Sequence, residues 1–122
     1  PKVDQTNVSV CLKSIDISSK SSNLLAKVPS EKGYMPRFGI TNMPDKIYFF
    51  TLNRNQDTLL WIHASADGSD YDTLYIETDP HYIDVEAAFN TPIYPNQSSN
   101  VFFISEKSGY KQLYRLEILK KE

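Results

Sequence analysis

The sequence predicts an all-β chain, a segment of a β-propeller, on three observations. Every apolar stretch is short, rich in β-branched or aromatic residues and bounded by turn chemistry, with no convincing helix. The stretch Ile47 to Ile62 holds two apolar runs around the polar turn Asn53-Arg54-Asn55-Gln56-Asp57, and so reads as a hairpin. The chain also repeats itself: Phe38 and Phe89 are 51 residues apart, Ile47 and Val101 54, and Leu60 and Leu113 53.

The hairpin is the centre of the argument. Ile47, Phe49 and Thr51 point one way and Tyr48, Phe50 and Leu52 the other, while Leu59 and Trp61 oppose Leu60 and Ile62. A sheet with one wet face would alternate apolar and polar residues, so this one is covered on both sides. A repeat near ~50 residues with about four strands in it is the period of a propeller blade, whose central strands are buried between neighbours.

In chain order, Val8, Val10 and Leu12 alternate with polar residues, and Ile15 and Ile17 continue with shifted parity, which predicts one strand with a bulge. Leu24 to Val28 is a short strand ended by Pro29, and Pro29 to Gly33 a loop. Tyr34 to Thr41 is a strand and Asn42 to Asp45 a turn leading into the hairpin. Asp67-Gly-Ser-Asp70 turns the chain, Thr73 to Thr78 is a strand, and Asp79-Pro80 ends it. Val85 to Ile93 reads as mostly extended, and Val101 to Ser105 with Tyr110 to Leu119 as a second hairpin across Glu106-Lys-Ser-Gly109. With strands lettered outward from the axis, this divides the chain into the end of one blade (residues 1–33, strands c and d), one full blade (34–79, a to d) and most of the next (80–122, a to c). A complete propeller needs at least ~four blades, and a start at Pro1 rather than Met fits an excised piece.

Thirteen basic and fifteen acidic residues give a net charge of −2 with no basic stripe, so neither nucleic acid nor an anionic membrane is expected as a partner. No apolar run approaches the ~20 residues of a membrane span. Cys11 is the single cysteine, which excludes an internal disulfide and a cysteine-based zinc site.

Candidate chemistry is sparse. Asp67, Asp70 and Asp72 do not follow the order of an EF-hand loop and read as a solvated turn. His81 between Asp79 and Asp84 suggests a metal ligand or an oriented base, but His63 is the only other histidine and lies on a separate strand, so a surface or turn-capping role is favoured. Arg54 beside Gln56 reads equally as a bridge to a neighbouring loop or as a hairpin tip in water. Trp61, Tyr48, Phe49, Phe102, Phe103 and Tyr114 read as core between blades rather than a sugar platform. Gly68-Ser69-Asp70 lacks the flanking glycine of a nucleophile elbow.

The run Tyr48 to Gln56 with its TLNRNQ core, the segment YIETDPHYIDV from Tyr75 to Val85, and FFISEKSGYKQLY from Phe102 to Tyr114 resemble successive landmarks in the N-terminal propeller of dipeptidyl peptidase IV-like serine exopeptidases of the prolyl oligopeptidase superfamily. Pro1-Lys2-Val3 is similar to the family's Asn-Pro-x-Val start of a strand, and Tyr34-Met-Pro-Arg37 to the opening of the next blade. Gly39 stands where relatives often carry Trp, Ser108 where Asp is usual and Gln112 where His is usual. The resemblance implies a parent that removes N-terminal Xaa-Pro or Xaa-Ala dipeptides, with a Ser-Asp-His triad on a separate C-terminal α/β-hydrolase domain and an acidic pair for the substrate amine. Neither the elbow nor that pair is found in this stretch, so no catalytic, cofactor-binding or metal residue is carried over and the segment itself is expected to be inert. Its expected partners are the remaining blades, the hydrolase domain and peptide substrates, its expected setting is periplasmic or otherwise exported, and in isolation it is expected to self-associate through its cut edges. A non-enzymatic propeller scaffold and a small carbohydrate-binding β-sandwich are the alternatives. The sandwich requires polar outer positions that the Ile47 to Leu52 run lacks.

Overall fold

The computed structural model describes residues 10–28, 32–86, 88–89 and 91–122. Among these described residues, nine strands fall into three antiparallel sheets. The first pairs β1 (Val10–Ile15) with β2 (Ser22–Val28). The second, in the order β3-β5-β6-β7 with β4 also on β5, holds β3 (Gly33–Tyr34), β4 (Phe38–Ile40), β5 (Lys46–Asn53), β6 (Thr58–Ser65) and β7 (Tyr71–Thr78). The third pairs β8 (Asn100–Ser105) with β9 (Gln112–Glu117).

The central hairpin forms in the expected register, with Phe50 opposite Trp61 and Leu52 opposite Leu59. Its turn is closed by Asn53, whose side-chain oxygen accepts from the backbone N–H groups of Asp57 and Thr58, both at 3.0 Å. Gln56, at φ 60°, supplies the left-handed residue that this turn requires. Both faces of the hairpin are covered. Leu12, Phe49, Ile62 and Ala64 form a small cluster with the first sheet, and Tyr48, Phe50, Leu52, Leu59 and Trp61 join Phe89, Val101, Phe103 and Leu116 in a larger one with the third. The first sheet carries the expected bulge, between Leu12 and Lys13, although the strand ends at Ile15 and Ile17 lies in the turn.

Three expectations are corrected. The strand expected over Tyr34 to Thr41 is split into β3 and β4, because Pro36 has no N–H to give the ladder; the ladder is carried past it by Phe50 N–H donating to the Arg37 carbonyl at 2.9 Å. The described residues between Val85 and Ile93 do not form a strand: Ala88 N–H closes a turn on the Asp84 carbonyl at 2.9 Å, and among them only Ile93 bridges to Phe102. The repeat also needs realignment. Gly39 pairs Tyr48 as Ile93 pairs Phe102, an offset of 54, whereas Phe50–Trp61 corresponds to Ile104–Leu113, so that Leu113 is the counterpart of Trp61 and not of Leu60. The reason is a shorter turn after β8, and a one-residue slip changes the face of every side chain. Phe38 and Phe89 are not equivalent either: the first is 63% exposed on β4, the second buried in the larger core. Val8 and the Pro1-Lys2-Val3 segment lie outside the described residues, as does much of the Pro29 to Gly33 loop.

Candidate functional site

The seam between the second and third sheets holds the buried polar residues His63, Glu77 and Ser105. On β6, Trp61 and His63 face the third sheet, and Tyr94, just before β8, projects back at them. Trp61 Nε1–H donates to the Tyr94 hydroxyl at 3.1 Å, and that hydroxyl lies 2.7 Å from His63 Nε2. Burial, helped by the Lys46 ammonium, holds the His63 pKa down to about 4, so the ring is neutral near pH 7. Since indole can only donate, the Tyr94 oxygen accepts from Trp61, which leaves the Tyr94 hydroxyl proton available to a neutral His63 Nε2. Burial raises the Tyr94 pKa, keeping the phenol in the form this chain needs.

Farther out, Glu77 of β7 is 5% exposed and receives the hydroxyl of the fully buried Ser105, 2.7 and 2.8 Å from its two oxygens. Tyr75 donates its hydroxyl to Glu77 Oε1 at 3.0 Å, and Lys107 Nζ donates to the Tyr75 oxygen at 3.2 Å while resting 4.4 Å from the Tyr114 ring centroid. Burial and then the Glu77 charge raise the Tyr75 pKa. Nearer the crossover, Arg37 Nη2 meets Glu86 Oε1 at 2.5 Å. Asn42 donates its amide to the carbonyls of Pro95 and Ser98, tying the turn of the second sheet to that of the third.

The residues singled out in the sequence are dispersed. Asp67 accepts from Ser69 N–H at 2.9 Å and Ser69 Oγ at 2.6 Å, bonds that lower its pKa; Asp72 meets Lys121 at 2.8 Å and Asp70 lies 3.9 Å from Lys46. The turn is a solvated one, as expected. His81 is exposed, with Nδ1 3.7 Å from Asp79 Oδ1, whereas His63 is buried on β6 against Tyr94. Arg54 bridges to Tyr34, its guanidinium 5.3 Å from the ring centroid. Trp61 and Phe103 are T-shaped at 5.3 Å within the core, and no group of three or more metal-ligating side chains occurs among the described residues. At Gly39 a Cβ would lie 2.7 Å from Tyr48 Cε1, so the Tyr48 ring occupies the space a larger residue would take.

Sequence reading missed Glu77, Ser105 and Tyr94. A signal existed for two of them: Ser105 shares the inward parity of Val101 and Phe103, and Glu77 that of Tyr75, so each is a polar residue on a buried face.

Stacked antiparallel sheets, each with an apolar face on the next, define this chain as part of a β-propeller. The chain belongs to a family within that class: the model of the dipeptidyl peptidase IV (DPP IV) N-terminal region matches residues 1–122. Among solved structures it is similar to Porphyromonas gingivalis dipeptidyl peptidase 4, with a TM-score of 0.81 at 19% identity over 96% of this chain. The match spans 16% of that protein's length. A search of curated proteins returned no match.

Proposed function

We propose that this chain is a non-catalytic stretch of propeller wall in a dipeptidyl peptidase IV-like serine peptidase, and that it contributes there to substrate gating and recognition. Its three sheets serve as the end of one blade (1–33), a full blade (34–79) and most of a third (80–122), with the remaining blades, a C-terminal α/β-hydrolase domain and N-terminal Xaa-Pro or Xaa-Ala peptides as partners. The observation that supports this is the uncovered outer face of the third sheet. Phe102, Ile104 and Leu113 occupy the positions of Tyr48, Phe50 and Trp61, yet Leu113 is 65% exposed where Trp61 is fully buried. A further blade packed there would bury them as the third sheet buries the second. The parent is proposed to be exported, which fractionation of the producing cell tests.

The test of function uses the parent reading frame: labelling with a serine-reactive fluorophosphonate, together with chromophore release from an Xaa-Pro substrate bearing a free amine. Labelling, with turnover lost when the amine is blocked, is the expected result. A folded parent with no labelled serine and no turnover would overturn it in favour of a binding scaffold.

A further inference from the structure

On one rim of the seam between the second and third sheets lies a cleft of about 390 Å³ lined by Asp79, His81, Tyr82, Asp84, Glu106 and Gly109. Its two walls start from the same place. The chain from Asp79 to Asp84 leaves β7 directly after Glu77 and Thr78, and the turn from Glu106 to Gly109 leaves β8 directly after Ser105. Glu77 and Ser105 are hydrogen-bonded to each other across the sheets, and Ser105 Oγ also accepts from Lys107 N–H at 3.0 Å, at the start of the turn. Lys107 reaches the buried carboxylate through the Tyr75 hydroxyl while lying over the Tyr75 and Tyr114 rings at 5.4 and 4.4 Å.

We propose that Lys107, Tyr75, Glu77 and Ser105 form a latch that fastens the two walls of this cleft at their base and sets how far it opens. The physical case is one of cost. Removing the Ser105 hydroxyl leaves both a buried carboxylate and the Lys107 N–H short of a partner, and the surrounding structure relieves this most readily by letting the 106–109 turn swing outward to water. Neutralising Lys107 removes the positive charge that the network reaches among the described residues, from a surface position with little bearing on the core. The latch belongs to the fold of these two sheets and does not depend on the peptidase reading.

Hydrogen exchange read segment by segment on the 122-residue chain, or on the parent, tests it. Ser105→Ala and Lys107→Met are each expected to speed exchange over residues 105–110 on the order of tenfold, while β1 and β2 keep their wild-type rates. Ser105→Thr, which retains the hydroxyl, is expected to restore protection. Acceleration spread equally over all three sheets would reduce the network to general stability and overturn the proposal. So would unchanged exchange at 105–110 in Lys107→Met, or a threonine variant that behaves like alanine.

Discussion

The two faces of the β5–β6 hairpin come from the same alternating runs but are covered differently. Toward the third sheet, Phe50 lies edge-on to Trp61 and Phe89 at 5.5 and 5.7 Å, Trp61 meets Phe103, and the Trp61-Tyr94-His63 chain and the Glu77–Ser105 pair span the seam. Toward the first sheet, Phe49, Ile62 and Ala64 meet Leu12 and the partly buried Leu25 and Ala26. That seam is flanked by cavities of about 400 and 320 Å³ lined by Lys27, Val28 and Thr51. Equal apolarity in sequence therefore does not give equal packing. A face is only as tight as what its partner sheet brings, and the first sheet brings two strands of small and aliphatic residues where the third brings aromatic rings and a crossover segment.

The largest effect expected from this difference is a pair of truncations one residue apart. Phe50→Ala opens a cavity within a close-packed aromatic cluster and should cost about 3–5 kcal/mol. Phe49→Ala, beside space that already exists, should cost at least about 1 kcal/mol less, because less of its environment was packed to begin with. Urea unfolding of both variants decides it, and equal losses would erase the contrast.

Acid should weaken the third-sheet seam selectively. His63 has an unfolded pKa near ~6.5 and is held down to about 4 when folded, so between those values the unfolded chain binds the extra proton. Its contribution is fully present above about pH 6.5, falls as the pH drops toward 4, and amounts to no more than about 3 kcal/mol. His63→Gln should flatten the stability profile over that window. An imidazole whose NMR shifts titrate near pH 6.5 in the folded chain would contradict the buried Tyr94 bond.

How much of this was legible in the sequence follows the same divide. The hairpin, the bulge after Leu12 and the two-sided burial were readable because period-two alternation of Ile47 to Leu52 states which faces exist. The breaks at Met35-Pro36-Arg37 and after Val85 were harder: apolar residues in a crossover, such as Val85 and Phe89, pack into the core without being strands. The repeat was readable as a period near fifty, but its register was not, since turn lengths differ between the hairpins and only the ladder reveals the slip. The polar fasteners were least legible. Nothing local to Glu77 names Ser105, 28 residues away, as its partner.

Gly39 sharpens the contrast within a single strand pair. Gly39→Ala brings a Cβ to 2.7 Å from the Tyr48 ring on the tight face and should cost about 1–3 kcal/mol. In a Tyr48→Ala background the same substitution should cost nearly nothing, a coupling that a double-mutant cycle measures directly.

The smallest effect expected is a gain. Thr51 lines both cavities on the first-sheet side, so Thr51→Ile adds apolar volume where there is room, keeps the β-branched shape that suits a strand, and should stabilise by about 0.5–1 kcal/mol. Phe50→Trp, the adjacent enlargement on the opposite face at a fully buried position packed against Trp61 and Phe89, has no such room and should cost about 1–3 kcal/mol. Opposite signs at neighbouring residues would place the slack of the molecule in its first seam. If Thr51→Ile instead destabilised as much as Phe50→Trp, the space beside β2 would not accept apolar atoms, and the looser face would owe its character to chemistry and not to packing.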